Sequence, residues 1–256
     1  MIPQTRYMIG TGYHARAGRE QAWFWNRWYE NTLRFADPVP QEIVVLASGG
    51  LYPHLTENQC VTTQWVYLIG DLGHCGDLLA GKKPHRFCGG TAGVLFLAWT
   101  AYLNECDFIH KEQDCLAFGN WVETMYAEIG AHGCIFGSTD QMPSSETLML
   151  VKHAFIPDFC RLYLETPAEH KPEHIGEAKF AKLEKEHPDL YCRYSFGVDR
   201  SRPLPPDMAS GKPWYAQKFT RDELLKIRDS GMIEFSSLPP ENKGVSTFSN
   251  CDPPKT

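Results

Sequence analysis

Glu112-Gln113-Asp114 is the place in the chain where residue type and spacing most directly suggest chemistry. Its two carboxylates stand one residue apart within Asp107-Phe108-Ile109-His110-Lys111-Glu112-Gln113-Asp114-Cys115-Leu116-Ala117-Phe118-Gly119. In an extended chain alternate side chains share a side, so Glu112 and Asp114 are expected to point the same way. Carboxylates drawn toward an apolar interior repel each other and lose hydration, and need a cation or hydrogen-bond donors to hold them. A hard divalent ion with oxygen ligands, carried in with a diphosphate, answers that need. Two solvated acids at a strand end would be the plainer reading, but Phe108, Ile109, Leu116 and Phe118 flank the pair and favour burial.

The elements that position this triplet read as alternating strands and helices. Tyr7–Ile9 is a short apolar strand expected to end in the loop Gly10-Thr11-Gly12-Tyr13. Glu20–Phe35 has a helical pattern with Phe24, Trp28, Thr32 and Phe35 on one face. Ile43–Ala47 and Trp65–Ile69 are strand-like runs that stop at Ser48-Gly49-Gly50 and Gly70-Asp71. Gly89–Asn104 is a helix apolar nearly all round, hence expected to be buried, and it precedes the acidic strand. Beyond it, Glu146–Glu165 reads as a helix broken at Pro157, and the Lys/Glu-rich Pro172–Glu186 as a solvated one. Thr220-Arg221-Asp222-Glu223 is a capping box opening a short helix that Gly231 ends. Strands alternating with helices imply parallel βαβ units, in which ligands bind beyond the carboxyl ends of the strands. The tips Gly10–Tyr13, Ser48–Gly50, Gly70–Gly73 and Glu112–Asp114 therefore converge on one crevice.

Composition bounds the partners. The 256 residues carry 25 Lys+Arg against 31 Asp+Glu, a net charge of −6, which argues against a nucleic-acid polymer as ligand. The 43% hydrophobic content, with 7 Trp, 11 Tyr and 14 Phe, is enough for a sizeable core. The 9 cysteines show no paired CxxC spacing, so reduced thiols are expected. The first residues lack the apolar run of a signal peptide, and Val94–Leu103, interrupted by Thr100, falls well short of a membrane span. A cytoplasmic chain without a transmembrane segment is expected.

The acidic triplet and the order of elements around it resemble GT-A fold glycosyltransferases, with Glu112-Gln113-Asp114 in the place of their DxD element. The resemblance spans about residues 5–230; Glu in first position departs from the commonest form of the motif, while the last acid is kept. It implies a three-layer α/β/α sandwich on a mainly parallel, Rossmann-like sheet. One catalytic domain would cover 1–235, with a nucleotide-sugar half to about 120 and an acceptor half over 121–235. Residues from Ser236 are expected to form a flexible tail.

The activity implied is transfer of a sugar from a nucleotide-diphosphate donor to a hydroxyl of a glycan, lipid or protein. By this resemblance Asp114 holds Mn2+ or Mg2+ bridging the phosphates, and Glu112 binds the ribose or the metal through water. Gly10, Thr11, Gly12, Tyr13, Ser48 and Asp71 are the further donor-binding candidates at the strand tips. Arg200 and Arg202 could close over the diphosphate, since Arg forks match phosphate oxygens. The basic cluster Lys82, Lys83, His85 and Arg86 precedes the start of a helix and could favour an anion there. An inverting reaction needs a base, for which Glu146 and Asp140 stand on the acceptor side of the chain. His153, His170, His174 or His187 could complete the metal site, although Pro172 spoils the helical spacing of His170 and His174. Two other readings share the scaffold. A nucleotidyltransferase would carry a basic residue beside its early Gly-rich loop, and Gly10-Thr11-Gly12 has none before His14 and Arg16. An inactive binding or assembly module would use an exposed aromatic segment, for which Trp23–Trp28 is the candidate.

Overall fold

A computed structural model describes residues 6–14, 19–48, 61–67, 89–137, 145–166, 175–197, 204–217 and 219–234. Apolar and β-branched runs build the central sheet. The strands are β1 (Tyr7–His14), β2 (Glu42–Ser48), β3 (Thr62–Tyr67), β4 (Asp107–Lys111), β6 (Cys134–Gly137), β7 (Ser145–Val151) and β8 (Tyr191–Arg193), in the order β3-β2-β1-β4-β7-β6-β8. All pairs are parallel except those of β7, which runs against both β4 and β6. Two short strands, β5 (Leu116–Phe118) and β9 (Trp214–Ala216), pair separately and antiparallel.

Alternation along the strands divides the interior in two. Ile9, Ile43, Val45, Ile109, Ile135, Leu148 and Leu150 face a core shared with α1 (Arg19–Phe35), α3 (Trp121–Ile129), α6 (Arg221–Asp229) and the β5–β9 pair. Met8, Val44, Phe108, Phe136, Met149 and Val151 face a second core with α2 (Gly89–Leu103), α4 (Ile156–Glu165) and α5 (Ile175–Glu186). The result is the expected α/β/α sandwich on a mostly parallel sheet. At the middle of β1, a Cβ on Gly10 would come within 2.7 Å of the Phe108 ring and 3.0 Å of Leu97 Cβ, so glycine lets α2 approach the sheet.

Several local expectations change. Gly10–Tyr13 is no loop: β1 continues to His14, because each residue from Met8 onward pairs with β2. β3 lies earlier than Trp65–Ile69, starting at Thr62, and Ile69 falls outside the described residues. The helix expected over Glu146–Glu165 is a strand followed by a helix. A strand buried on both faces has no polar alternation, so Thr147-Leu148-Met149-Leu150-Val151 carries no period to distinguish it from a buried helix. Pro157 does not break α4 but lies in its first turn, where its missing N–H costs nothing.

The remaining helices follow the layer logic. α2 is not buried all round: Val94, Leu97, Ala98 and Ala101 face the sheet, while Phe96, Trp99 and Leu103 are 42%, 46% and 69% exposed. α5 is anchored rather than solvated, through buried Lys179, Phe180 and Leu183. α1 buries Phe24, Trp28 and Thr32 as its periodicity predicts, and Trp25 with them, so the tryptophans of this segment with described side chains are core rather than an exposed face. α6 starts at a capping box in which Thr220 and Glu223 satisfy each other's backbone N–H, and Gly231 follows it at φ +78°. Cys106, Cys115, Cys134, Cys160 and Cys192 are free thiols. Among the described residues no helix is long and apolar enough to cross a membrane.

Candidate active site

The carboxyl ends of β3, β2, β1 and β4 open on one edge of the sheet, where β1 and β4 part company. Gly10 is the last residue of β1 to face β4, opposite His110, whereas β1 pairs with β2 as far as His14. Beyond Lys111 the chain leaves the sheet in a tight turn. Cys115 N donates to Glu112 O at 3.0 Å, so Glu112-Gln113-Asp114 is the turn itself and not an extended strand. The expected same-side projection of the two acids is therefore replaced by turn geometry. All three residues of the triplet are half-buried.

Glu112 is held by donors from distant parts of the chain. Its Oε2 accepts from Thr147 Oγ1 at 3.0 Å and from Gln217 Nε2 at 2.9 Å, and Gln217 also donates to Thr147. Its backbone N–H donates to Thr147 O at 2.9 Å. β9 places Gln217 here through its pairing with β5 on the far side of the turn. Neutral donors on a half-buried carboxylate replace the hydration it loses.

Thr147 reaches Glu112 because β7 bulges at this edge. Phe136 of β6 faces Met149, but the next residue, Gly137, faces Ser145, leaving 146–148 without partners on β6. Bulges re-aim side chains, and here neighbouring residues part to opposite sides. Thr147 meets Glu112 and Gln217, whereas Glu146 Oε2 accepts from Tyr163 Oη of α4 at 3.0 Å, in the second core. Glu146 thus belongs to a strand bulge and not to a helix start. Gly137 admits the hydroxyls of Tyr194 and Tyr215, which would lie 2.4 and 2.3 Å from a Cβ there.

Directly beneath the turn lies Lys111, fully buried. Its Nζ donates to Asn31 Oδ1 at 2.9 Å and Thr32 Oγ1 at 2.7 Å, both neutral acceptors. Burial pulls its pKa from the ordinary lysine value down to about 7. Cys115, on the other side of the turn, is equally buried, and burial pushes its thiol far above the usual range, so it stays protonated and inert. His110 is held neutral by burial, its pKa lowered to about 4 against a hydrogen bond to the Gly10 backbone.

The other sequence candidates fall in different places. Thr11 is buried within β1, Gly12 is exposed, and Tyr13 packs edge-on against Trp25 and Trp65. Ser48 ends β2 opposite His14. Asp71, Lys82, Lys83, His85, Arg86, Asp140, His170, His174, Arg200, Arg202 and the segment from Ser236 lie outside the described residues. His153 stands at the opposite end of β4, stacked on Tyr102, with its backbone N–H bonded to Asp107, and His187 lies just ahead of β8. Among the described residues no third His, Cys, Asp or Glu joins Glu112 and Asp114 in a metal-sized group. The donor set nonetheless suits a hard cation: two carboxylates at a partly accessible turn, one of them steadied by neutral hydrogen bonds. Thr147 and Gln217 escape sequence reading, and the one trace of Gln217 is a lone amide closing the apolar triplet Trp214-Tyr215-Ala216.

No protein-family profile matches the sequence, and no curated protein does. Among solved structures the chain path is similar to mouse xyloside xylosyltransferase 1 in its apo form, at 11% identity over 75% of this chain and 87% of that one, with a TM-score of 0.43. The glycosyltransferase GlyE of Streptococcus pneumoniae TIGR4 shares 11% identity over 75% of this chain and 46% of its own length, with a TM-score of 0.46. A CMP:2-keto-3-deoxy-manno-octonic acid synthetase complexed with CTP shares 9% identity over 74% of this chain and 89% of that one, with a TM-score of 0.44.

Proposed function

We propose that this chain is a metal-dependent glycosyltransferase that moves a sugar from a nucleotide-diphosphate donor to an acceptor hydroxyl. The observation that carries the reading is the acidic turn Glu112-Gln113-Asp114. It projects from the carboxyl end of β4, where β1 and β4 separate, and is tied to β7 through Thr147 and to the end of β9 through Gln217. In parallel α/β sheets such an edge is where ligands bind.

In this reading Asp114 would hold Mn2+ or Mg2+, and Glu112 would bind the ribose or contact the metal through water. The cation supplies Lewis-acid stabilisation of the charge that grows on the leaving diphosphate. Thr147 and Gln217 fix the Glu112 carboxylate, so its orientation is set before the donor arrives. If the reaction inverts the anomeric centre, the bond between the anomeric carbon and the diphosphate oxygen breaks as the acceptor oxygen bonds to that carbon, and a carboxylate takes the acceptor proton. Of the two sequence candidates, Glu146 turns away to Tyr163 in the second core, which leaves Asp140, outside the described residues, as the candidate base. Gly10, Thr11, Gly12, Tyr13 and Ser48, on β1 and β2, are the donor-side candidates, and Asp71, Arg200 and Arg202, outside the described residues, remain candidates for the ribose and the phosphates. The acceptor is a glycan, lipid or protein hydroxyl.

The test is release of nucleoside diphosphate from a panel of UDP-, GDP- and dTDP-sugars with Mn2+ and a mixture of hydroxyl acceptors. Turnover by the wild type that disappears in Asp114→Asn supports the reading. Absence of turnover across the panel, or full activity in Asp114→Asn, overturns it.

A further inference from the structure

α1 grips both feet of the acidic turn. Trp28 Nε1 donates to Glu112 O at 2.8 Å. Asn31 Oδ1 accepts from Lys111 Nζ at 2.9 Å and from Ala117 N at 3.0 Å, so one amide oxygen ties the residue before the turn to the strand after it. Thr32 Oγ1 accepts from Lys111 Nζ at 2.7 Å while donating to Trp28 O at 2.7 Å, and the Lys111 ammonium lies 4.7 Å from the Trp28 ring centroid. Trp28, Asn31, Thr32 and Lys111 are all buried.

This network makes poor sense as core filling. A lysine and an asparagine in a hydrophobic layer forfeit hydration that apolar side chains of similar volume would not need, and such groups stabilise a fold less than good packing does. What they provide is geometry. Lys111 and Asn31 span a fixed distance, and through Ala117 N that distance sets how far apart the two feet of the turn stand. Trp28 fixes the carbonyl of the first acid from the same helix.

We propose that Asn31, Lys111 and Trp28 are positioning residues of the acidic turn. α1 acts as a rigid clamp that holds Glu112 and Asp114 at the separation a metal–diphosphate complex requires. This rests on the reading of that turn as the metal and diphosphate site. None of the three residues touches the donor; each acts on Glu112 and Asp114 through the backbone of the turn.

The experiment uses the full chain and three single variants. Asn31→Leu keeps the volume and removes the acceptor, Asn31→Asp restores acceptor oxygens, and Trp28→Phe removes the N–H that reaches Glu112 together with part of the ring that stacks on Trp25 and faces Lys111. UDP, GDP, CDP and dTDP are titrated calorimetrically into wild type over a series of Mn2+ concentrations, and the tightest is carried to the variants. Tyr126→Phe, which removes the hydroxyl donated to Asp107 at the opposite end of β4, serves as the destabilised control. The clamp predicts that Asn31→Leu weakens binding tenfold or more and raises the half-saturating Mn2+ concentration, that Asn31→Asp returns both to within threefold of wild type, and that Tyr126→Phe changes neither. Trp28→Phe, expected to weaken binding three- to tenfold, carries the same test should Asn31→Leu not fold. Wild-type affinity and Mn2+ dependence in Asn31→Leu and Trp28→Phe, or a loss that Asn31→Asp does not recover, overturns the clamp. Failure of the wild type to bind any of the four diphosphates with Mn2+ overturns the functional reading itself, a separate result.

Discussion

At the scale of residues, the site is an acid pair whose two members live differently. Glu112 accepts from Thr147 and Gln217, and Asp114 stands in the turn that follows. Asp114→Asn keeps the size and shape of the side chain and is expected to leave the melting temperature without ligand within about 2 °C of wild type. Differential scanning fluorimetry checks this. His110 offers a second residue-scale test. Burial lowers its pKa to about 4, below the 6.5 of an unhindered imidazole. A depressed folded-state value means the unfolded chain binds the proton first, so stability present above pH 6.5 is lost as the pH falls toward 4. The loss is on the order of 3 kcal/mol. Urea unfolding of wild type and His110→Gln at pH 7 and pH 4.5 should show a shallower pH dependence in the variant. The acid pair was legible in the sequence because two charges stand out in an apolar run. Thr147 and Gln217 were not, because an uncharged polar residue 35 or 105 positions away has no local mark of its partner.

At the scale of elements, the edge that forms the site depends on close approaches between layers. Gly10 brings α2 against β1 beside Phe108, and any Cβ there must displace Leu97 or the Phe108 ring. Gly10→Ala is expected to cost about 1–3 kcal/mol of stability through overpacking. Loss of the α6 capping box in Thr220→Ala should cost about 1 kcal/mol of stability. Denaturant unfolding measures both. Elements with a periodic pattern or explicit end signals were readable: α1 from its apolar face, α6 from its cap and Gly231. β7 was not, since burial on both faces erases the alternation that marks a strand. Its bulge, which divides Glu146 from Thr147, arises only when β6 and β4 pair with it. The extent of β1 was hidden because two glycines suggest a loop, whereas Gly10 is required by the close approach of α2 and Gly12 has open space around it.

At the scale of the molecule, one sheet carries the whole arrangement. Strands from the first half, β1 to β4, supply the edge that carries the proposed site, and β7 from the second half is laid antiparallel against β4 so that its bulge meets the acidic turn. The separate β5–β9 pair then returns the chain from residue 216 to the same spot. A net charge of −6 is compatible with the proposed site, in which a cation held by the acids of the turn would offset their repulsion of a diphosphate. The most direct measurement is the thermal shift of the full chain with UDP, GDP, CDP or dTDP, each with and without Mn2+, in wild type and Asp114→Asn. The account predicts a rise in melting temperature with at least one nucleoside diphosphate that requires Mn2+ and is absent in Asp114→Asn. Equal melting temperatures in all conditions, or an undiminished Mn2+-dependent rise in Asp114→Asn, would contradict it.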